Sequence, residues 1–424
     1  MKNALRFLPG GPAGPAALLL VLASPAAGQA VLVVDDLPGP GVDFTAIQPA
    51  VDAASEGDVI LIQAGTYPSP VQPAVDGKSL SLVAEAGAVV VLPDGLEIRN
   101  LAPGQVVCLQ GLVLGGPAAF LEPGLLVQFS EGHVRVQDCQ LQGSAASDGF
   151  PFGFFPAHAG LWAVQAAECV LVRCELRGGN FVASGSGNGG SGAPGARVQS
   201  ADVHAYGCTF EGGQGSTDFS SGAGAAGGPG VLVDGGFLFA EESLLQGAVQ
   251  PGGCALPSPS APGPGLALAG GGEAFFLDSV ALPGALQPGC ACCAAPAVVG
   301  AGLITLPGVG RSLVFPSPLR EGEVGNLSVS GEPGDLAFLG FTDAPGSVFL
   351  PGLGGTFLLA SPTPVLPLGA VPPGGALSLP LPIPELGPGL ESFTWFLQLG
   401  VLAADGTTVV LGDPAHAVLL DGSL

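Results

Sequence analysis

Residues 123–144 read PGLLVQFSEGHVRVQDCQLQGS, and the same pattern returns at 159–179 as AGLWAVQAAECVLVRCELRGG. Further copies occupy 194–213, 229–248 and 264–285. Each copy opens with a small residue or proline followed by a glycine, and these glycines lie 35 or 36 residues apart: Gly124, Gly160, Gly195, Gly230 and Gly265. A fixed step of this length is typical of a solenoid, in which each repeat buries its apolar face only by stacking on its neighbours.

Apolar and polar residues alternate within each copy with a period of two, which predicts short strands. One inward row is expected at Cys139, Cys174, Cys208, Ser243 and Val280. A second is expected at Leu141, Leu176, Phe210, Leu245 and Leu282. The three cysteines should be buried free thiols, because side chains in a parallel ladder point the same way and give poor disulfide geometry. Gly/Ser/Pro-rich inserts, such as 180–193 and 214–228, should emerge from one side of the stack.

The composition agrees with an all-β chain. It contains 72 Gly and 42 Pro residues, yet 47% of residues are apolar and only 10% are charged, which is the opposite of a disordered chain. The net charge of −24 argues against nucleic acid or anionic lipid as a partner.

The first 30 residues have the features of a secretion signal. Lys2 and Arg6 precede an apolar run, and small residues lead to a cleavage site after Gly28 or Ala30. We therefore predict a secreted or cell-surface protein, extracellular or periplasmic, with no membrane span in the mature chain. Export permits disulfides, and the late cysteines are predicted to form one rather than a metal site: Cys254 with the group Cys290, Cys292 and Cys293.

Residues 43–67, DFTAIQPAVDAASEGDVILIQAGTY, resemble the entry to bacterial pectin-lyase-like right-handed parallel β-helix proteins. The resemblance implies an amphipathic helix that caps the stack, a Gly-Asp turn and a strand. Thr45 to Gln48 fit a capping box, and Ile47, Val51 and Ala54 share one helix face. The resemblance implies a β-helix over 31–305. It says little about activity, because this fold hosts lyases, hydrolases, adhesins and structural proteins.

From about Gly308 the pattern changes to strand-like segments separated by Pro and Gly, and Asp405-Gly406 is a strong hairpin signal. We predict a small antiparallel β-sandwich over 306–424. Through the segment that contains Phe396-Leu397-Gln398 and the Pro-rich strand before it, this part resembles C-terminal domains of uncharacterised exported proteins from GC-rich bacteria.

One outward surface carries candidate catalytic residues: Asp138, Glu175, Arg177 and Glu211. Stacking geometry places Asp138 and Glu175 roughly 8 Å apart, a separation that suits inverting glycoside hydrolysis. The alternative is an ordinary surface ladder of opposite charges, Asp138 with Arg173 and Arg177 with Glu211. The Asp-Asp and Gly-His-Gly signatures of polygalacturonases and the calcium pattern of pectate lyases are absent.

The sequence therefore predicts a surface, adhesion or carbohydrate-contact module that needs no cofactor or metal, with a polysaccharide or a cell-surface component as its partner. A polysaccharide lyase or glycoside hydrolase that uses Asp138 and Glu175 is the alternative.

Overall fold

The computed structural model describes residues 29–116, 122–147, 156–182, 190–216, 225–249, 261–286 and 294–424. In these ranges the chain is mostly β-strand, with one short α-helix, Ile47–Ala53, and a 3-10 turn, Pro351–Leu353. Large parallel sheets occupy residues 31–306 and are consistent with a β-helix-like solenoid. The cysteines predicted to form a disulfide lie outside the described residues: Cys254, Cys290, Cys292 and Cys293.

Each complete rung consists of three strands, each paired in parallel with the rungs before and after it. We name the sides of the stack faces 1, 2 and 3, in the order in which the chain visits them from each opening glycine. Face 1 contains Ala74–Asp76, Leu96–Arg99, Ala196–Gln199, Val231–Asp234, Leu266–Ala269 and Val298–Val299. Face 2 contains Val31–Val34, Val59–Ile62, Leu80–Ala84, Val106–Gln110, Asp202–Tyr206, Phe237–Glu241, Glu273–Leu277 and Leu303–Leu306. Face 3 contains Gly65–Thr66, Val90–Leu92, Leu112–Gly115, Gln140–Gln142, Glu175–Arg177, Thr209–Glu211, Leu244–Gln246 and Val280–Leu282.

Two long strands, Leu125–Gln137 and Leu161–Val172, pass from face 1 to face 2. A short parallel pair, Ala146–Ser147 with Phe181–Val182, follows face 3 in two rungs.

A left-handed residue forms the corner between faces 2 and 3 in successive rungs. Positive φ angles of 48° to 60° occur at Asp138, Arg173, Gly207, Glu242 and Asp278. L-residues rarely adopt this conformation, so its recurrence at one position indicates that the stack imposes the corner.

The predicted inward row of face 3 is in register and buried at Leu141, Leu176, Phe210 and Leu245. In the last rung the prediction was wrong by one residue, because Ala281 lies opposite Leu245. Leu282 and Val280 point outward and are exposed. The register differs because the turn before this strand has three glycines, at 270–272, where the rung before has two. The extra residue moves every later position of the rung by one.

A ladder of thiols and hydroxyls lines the inner side of the same corner. Cys139, Cys174 and Cys208 are buried free thiols, as predicted. Cys208 Sγ accepts the N–H of Cys174 at 3.4 Å, and Ser243 Oγ accepts that of Cys208 at 3.1 Å. Ser279 Oγ accepts the N–H of Ser243 at 3.0 Å. Each such side chain therefore satisfies a backbone donor of the rung before it.

The helix Ile47–Ala53 packs its predicted face on the core, with Ile47, Val51 and Ala54 buried. The predicted capping box is wrong, since the N-cap residue is Ala46 and no side chain caps it. Gln48 instead binds the strand Ala74–Asp76: its Oε1 accepts the N–H of Ala74 at 2.7 Å and its Nε2 donates to Ala74 O at 3.2 Å.

Beyond residue 306 the pairing becomes mostly antiparallel. One sheet joins Leu313–Val314, Val324–Ser330 and Ala376–Pro382. A second has the order Leu319–Arg320, Val409–Leu420, Ser392–Leu402, Leu336–Thr342 and Val365–Ala370, with its first pair parallel. Pro345–Leu350 pairs with Gly355–Leu359. The predicted hairpin at Asp405-Gly406 is confirmed by the antiparallel pairing of Ser392–Leu402 with Val409–Leu420.

Candidate functional site

The four residues predicted for catalysis all form ion pairs. Asp138 occupies a corner, and its two carboxylate oxygens accept hydrogen bonds from Arg173 Nε and Nη2 at 2.8 and 2.9 Å. On face 3, Arg177 lies 3.2 Å from Glu211 and 3.8 Å from Glu175. The structure thus brings Arg177 together with both glutamates, while Asp138 belongs to a separate pair.

These pairs match the surface ladder that the alternation of charges predicts. The side chains of Arg177, Glu175 and Glu211 are 57%, 55% and 44% exposed, and exposed pairs of this kind contribute little to stability. Arg173 has a further contact, because its Nη1 donates to Leu313 O at 3.0 Å. The Asp138–Arg173 pair therefore links the corner to residues 307–424, which we call the C-terminal part.

A buried charged cluster lies on the outer side of face 2. His133 and Glu168 are register partners on adjacent rungs, and His133 Nδ1 is hydrogen-bonded to Glu168 Oε2. Arg135 Nη1 donates to the same oxygen at 2.8 Å, and its Nη2 donates to Gly346 O at 3.4 Å. Glu168 and Arg135 are only 2% and 4% exposed.

The cluster keeps Glu168 ionised. Burial acts to raise the pKa of Glu168, but the charge of Arg135 and the hydrogen bond from His133 outweigh it and hold the pKa at about 2. The next position of this row is Asp202, an exposed residue whose pKa is raised by partial desolvation and by the charge of Glu168. A histidine and two carboxyls with pKa values pushed apart are the components of acid–base chemistry. Glu168 is buried, however, and its partner Arg135 contacts Gly346 of the C-terminal part. The cluster is therefore better suited to holding the stack and the C-terminal part together than to catalysis.

His133 is not among the site residues predicted from the sequence. The step of 35 residues from Cys139 to Cys174 also joins His133 to Glu168, so alignment from the end of each copy could have paired them. Alignment from the opening glycines fails, because the register shifts between Ser130 and His133.

Aromatic side chains attach the C-terminal part to the outer side of face 2. Around Phe349, the ring centroids of Phe237, Phe239 and Phe275 lie 5.0, 5.8 and 4.9 Å away. In the early rungs, face 2 residues pack with Val418 and Leu420: Val31, Val59, Leu61 and Val83. The apolar contact thus extends along much of the stack.

Buried polar contacts fix the register of this attachment. Ser317 Oγ donates to Gln110 Oε1 at 2.6 Å, and the N–H of His416 donates to Gln137 Oε1 at 3.0 Å. The N–H of Arg311 donates to Glu241 Oε1 at 3.1 Å. Gln110, Gln137 and Glu241 all belong to face 2 strands, so the outer side of face 2 is largely internal and faces 1 and 3 are the exposed sides.

The residues that flank the predicted inserts, which we call the insertion points, lie between face 3 and face 1. The central parts of the inserts 180–193 and 214–228 lie outside the described residues. The residues that leave the stack and those that re-enter it alternate in one ladder of backbone hydrogen bonds, with N···O distances of 2.7 to 3.1 Å: Ser144, His158, Gly179, Ala193, Gly213, Gly228, Ala248, Gly263 and Gly284. We call this row the glycine ladder, because at its five glycines a Cβ would lie only 1.7 to 2.1 Å from a backbone oxygen of another member: Gly179, Gly213, Gly228, Gly263 and Gly284. A Cβ at Gly213 would lie 2.0 Å from Gly179 O.

Face 1 carries an aromatic–cation pair at the second residue of two neighbouring strands, Leu161–Val172 and Ala196–Gln199. Trp162 and Arg197 are register partners, and the Arg197 guanidinium carbon lies 5.1 Å from the Trp162 ring centroid. Both side chains are half-buried. Trp162 Nε1 has no hydrogen-bond partner among the described residues. The pair combines a flat apolar ring with a cation, next to the insertion points.

Comparisons with known proteins add little. No protein-family model matches the chain, and no curated protein matches it. Among solved structures, ORF18 of Geobacillus virus E2 aligns over 87% of this chain and 72% of that chain, with 9% identity and a TM-score of 0.27. At that TM-score the alignment supports no conclusion about fold or function.

Within the described ranges, no group of three or more His, Cys, Asp or Glu side chains is arranged to hold a metal ion. No helix among the described residues has both the length and the apolar character needed to cross a membrane.

Proposed function

We propose that this protein is an exported surface module that contacts a carbohydrate or another cell-surface component. The proposal rests on one observation, which is that one face of the stack is covered while the insertion points lie together on an uncovered side. The C-terminal part covers face 2, while the insertion points line up between faces 1 and 3. Binding residues concentrate on loops held by a rigid scaffold, and the glycine ladder supplies such a support.

In this proposal the stack is a right-handed parallel β-helix of the pectin-lyase-like kind, with the helix Ile47–Ala53 as its cap. The buried side chains of that helix within the main core support the cap. The C-terminal part is a small sandwich. Support comes from residues of its two larger sheets that share one core cluster, among them Leu327, Val329, Leu399 and Leu419.

A polysaccharide panel tests the proposal when binding and product release are scored separately. We expect binding of at least one glycan without release of oligosaccharides. Trp162→Ala should weaken that binding about tenfold, because Trp residues often dominate binding energy. Trp395→Ala is the matched control, since Trp395 packs against Phe393 in the C-terminal part. Absence of any binding across the panel would contradict the carbohydrate version of the proposal.

The enzyme alternative predicts a different result from the same panel. Because Asp138 and Glu175 are both held in ion pairs with arginines, we expect Asp138→Asn and Glu175→Gln to leave glycan binding nearly unchanged. A wild-type protein that releases oligosaccharides, and loses this activity in either variant, would establish the lyase or hydrolase instead.

A further inference from the structure

The stack ends on an open rung at its C-terminal side. Within the described chain, the last strand of each face pairs on one side only: Val298–Val299, Leu303–Leu306 and Val280–Leu282. Thr305 is in register with Phe276, whose side chain is in the core, yet Thr305 is exposed. Ala281 and Leu303 continue inward rows but are only half-buried. The apolar core therefore reaches the surface at this end.

The outer surface of the same end differs from the rest of the stack. Mid-stack, the outward rows of face 3 carry Glu175, Arg177 and Glu211, but the last rung carries Val280 and Leu282, which are 51% and 43% exposed. Val299 and Ile304 add exposed fractions of 44% and 46%. No charged residue occurs between Asp278 and Arg311, in a chain with a net charge of −24.

We propose that this end rung binds the same rung of a second copy of the chain, tail to tail, about a two-fold axis. Two copies of a strongly acidic protein repel each other over most of their surfaces, and the uncharged rung is a surface where that repulsion is weakest. A two-fold interface needs one self-complementary patch. Open strand edges supply one, because their free N–H and C=O groups can pair with those of the partner copy.

The opposite end of the stack does not offer the same surface. The strands Val31–Val34 and Ala74–Asp76 contact the helix Ile47–Ala53, whose apolar side chains are buried in the core. A head-to-tail chain of copies would have to displace that helix. The geometry thus favours a closed dimer over an open polymer.

Sedimentation velocity of the mature chain, from about 1 to 100 µM, tests the proposal. We expect a monomer–dimer equilibrium, with a small-angle scattering profile that shows elongation along the stack axis in the dimer. Ile304→Lys places two like charges across the interface and should weaken association at least about tenfold. Val324→Lys is the matched control. It introduces the same charge at a side chain that is 58% exposed. Val324 is close in sequence to Arg320, which binds Glu85 in the early rungs and thus at the other end of the stack.

Circular dichroism and thermal melting establish that each variant is folded, and Ile304→Ser replaces the lysine variant if the latter fails to fold. Three results would overturn the proposal. They are a wild type that stays monomeric over the whole range, a dimer that Ile304→Lys and Ile304→Ser leave intact, and growth beyond the dimer into open-ended polymers.

Discussion

At the scale of single residues, Glu168 is the side chain whose contacts have the clearest energetic consequence. It is 2% exposed and binds both Arg135 and His133. Glu168→Gln leaves the buried Arg135 guanidinium without a counter-charge, which typically costs about 3–5 kcal/mol. We expect urea unfolding to show a loss of this size, and a loss below about 1 kcal/mol for Glu175→Gln, whose ion pair is exposed. Equal losses in the two variants would argue against a stabilising role for the cluster.

The same carboxylate makes stability depend on acid. Its pKa is about 2 in the folded protein against an ordinary value of 4.5, so the unfolded chain takes up the proton first as pH falls. The contribution of Glu168 is therefore complete above about pH 5 and disappears progressively toward pH 2. We expect unfolding midpoints of the wild type to fall more steeply over this window than those of Glu168→Gln. Parallel curves would show that other groups control acid stability.

At the scale of elements, the corner ladder predicts a difference between two substitutions of one cysteine. Cys208 Sγ accepts the N–H of Cys174, and serine has the same role at positions 243 and 279. Cys208→Ser should keep this bond, whereas Cys208→Val leaves a buried N–H unpaired. We expect the valine variant to be less stable than the serine variant by about 1–3 kcal/mol in chemical denaturation. A more stable valine variant would show that packing outweighs the ladder.

The glycine ladder predicts a sharp contrast between two alanine substitutions. At Gly213 a Cβ would meet Gly179 O at 2.0 Å, whereas at Gly116 it would meet nothing within 4 Å. We expect Gly213→Ala to lower the melting temperature and to lose about 2 kcal/mol or more of unfolding free energy. Gly116→Ala should change either quantity little. Similar behaviour of both variants would mean that the ladder is not closely packed.

Much of the stack could be predicted because the same residue types recur at equivalent positions of successive rungs. The opening glycines and the row from Leu141 to Leu245 repeat with nearly constant steps, and the Arg177–Glu211 pair follows from that register. The attachment of the C-terminal part was not predicted, although a signal exists. In Phe237–Glu241, side chains on both sides of the strand are largely apolar, and strands of that kind are covered on both faces. The buried cluster was missed because a register shift next to His133 hides its partner.

At the scale of the whole molecule, the stack and the C-terminal part should unfold together. Phe349 joins three aromatic side chains of face 2. Phe→Ala in a fully buried core typically costs about 3–5 kcal/mol, so the half-buried Phe349 should lose somewhat less. We expect the wild type to show one calorimetric transition. Phe349→Ala should lower it or split it in two, while Val348→Ala, at an exposed neighbour, should leave it unchanged. Two separate transitions in the wild type would contradict this coupling.

The regular spacing of the insertion points has a consequence for affinity. Successive points are one rung apart, about 4.8 Å along the stack axis, so under the proposed function a polymer that lies along the stack would meet an equivalent point on each of several rungs. Contacts that are individually weak then act together, because the first one fixes the effective concentration for the next. Such avidity would grow with the length of the ligand, so a long chain would be retained where its own short fragments dissociate.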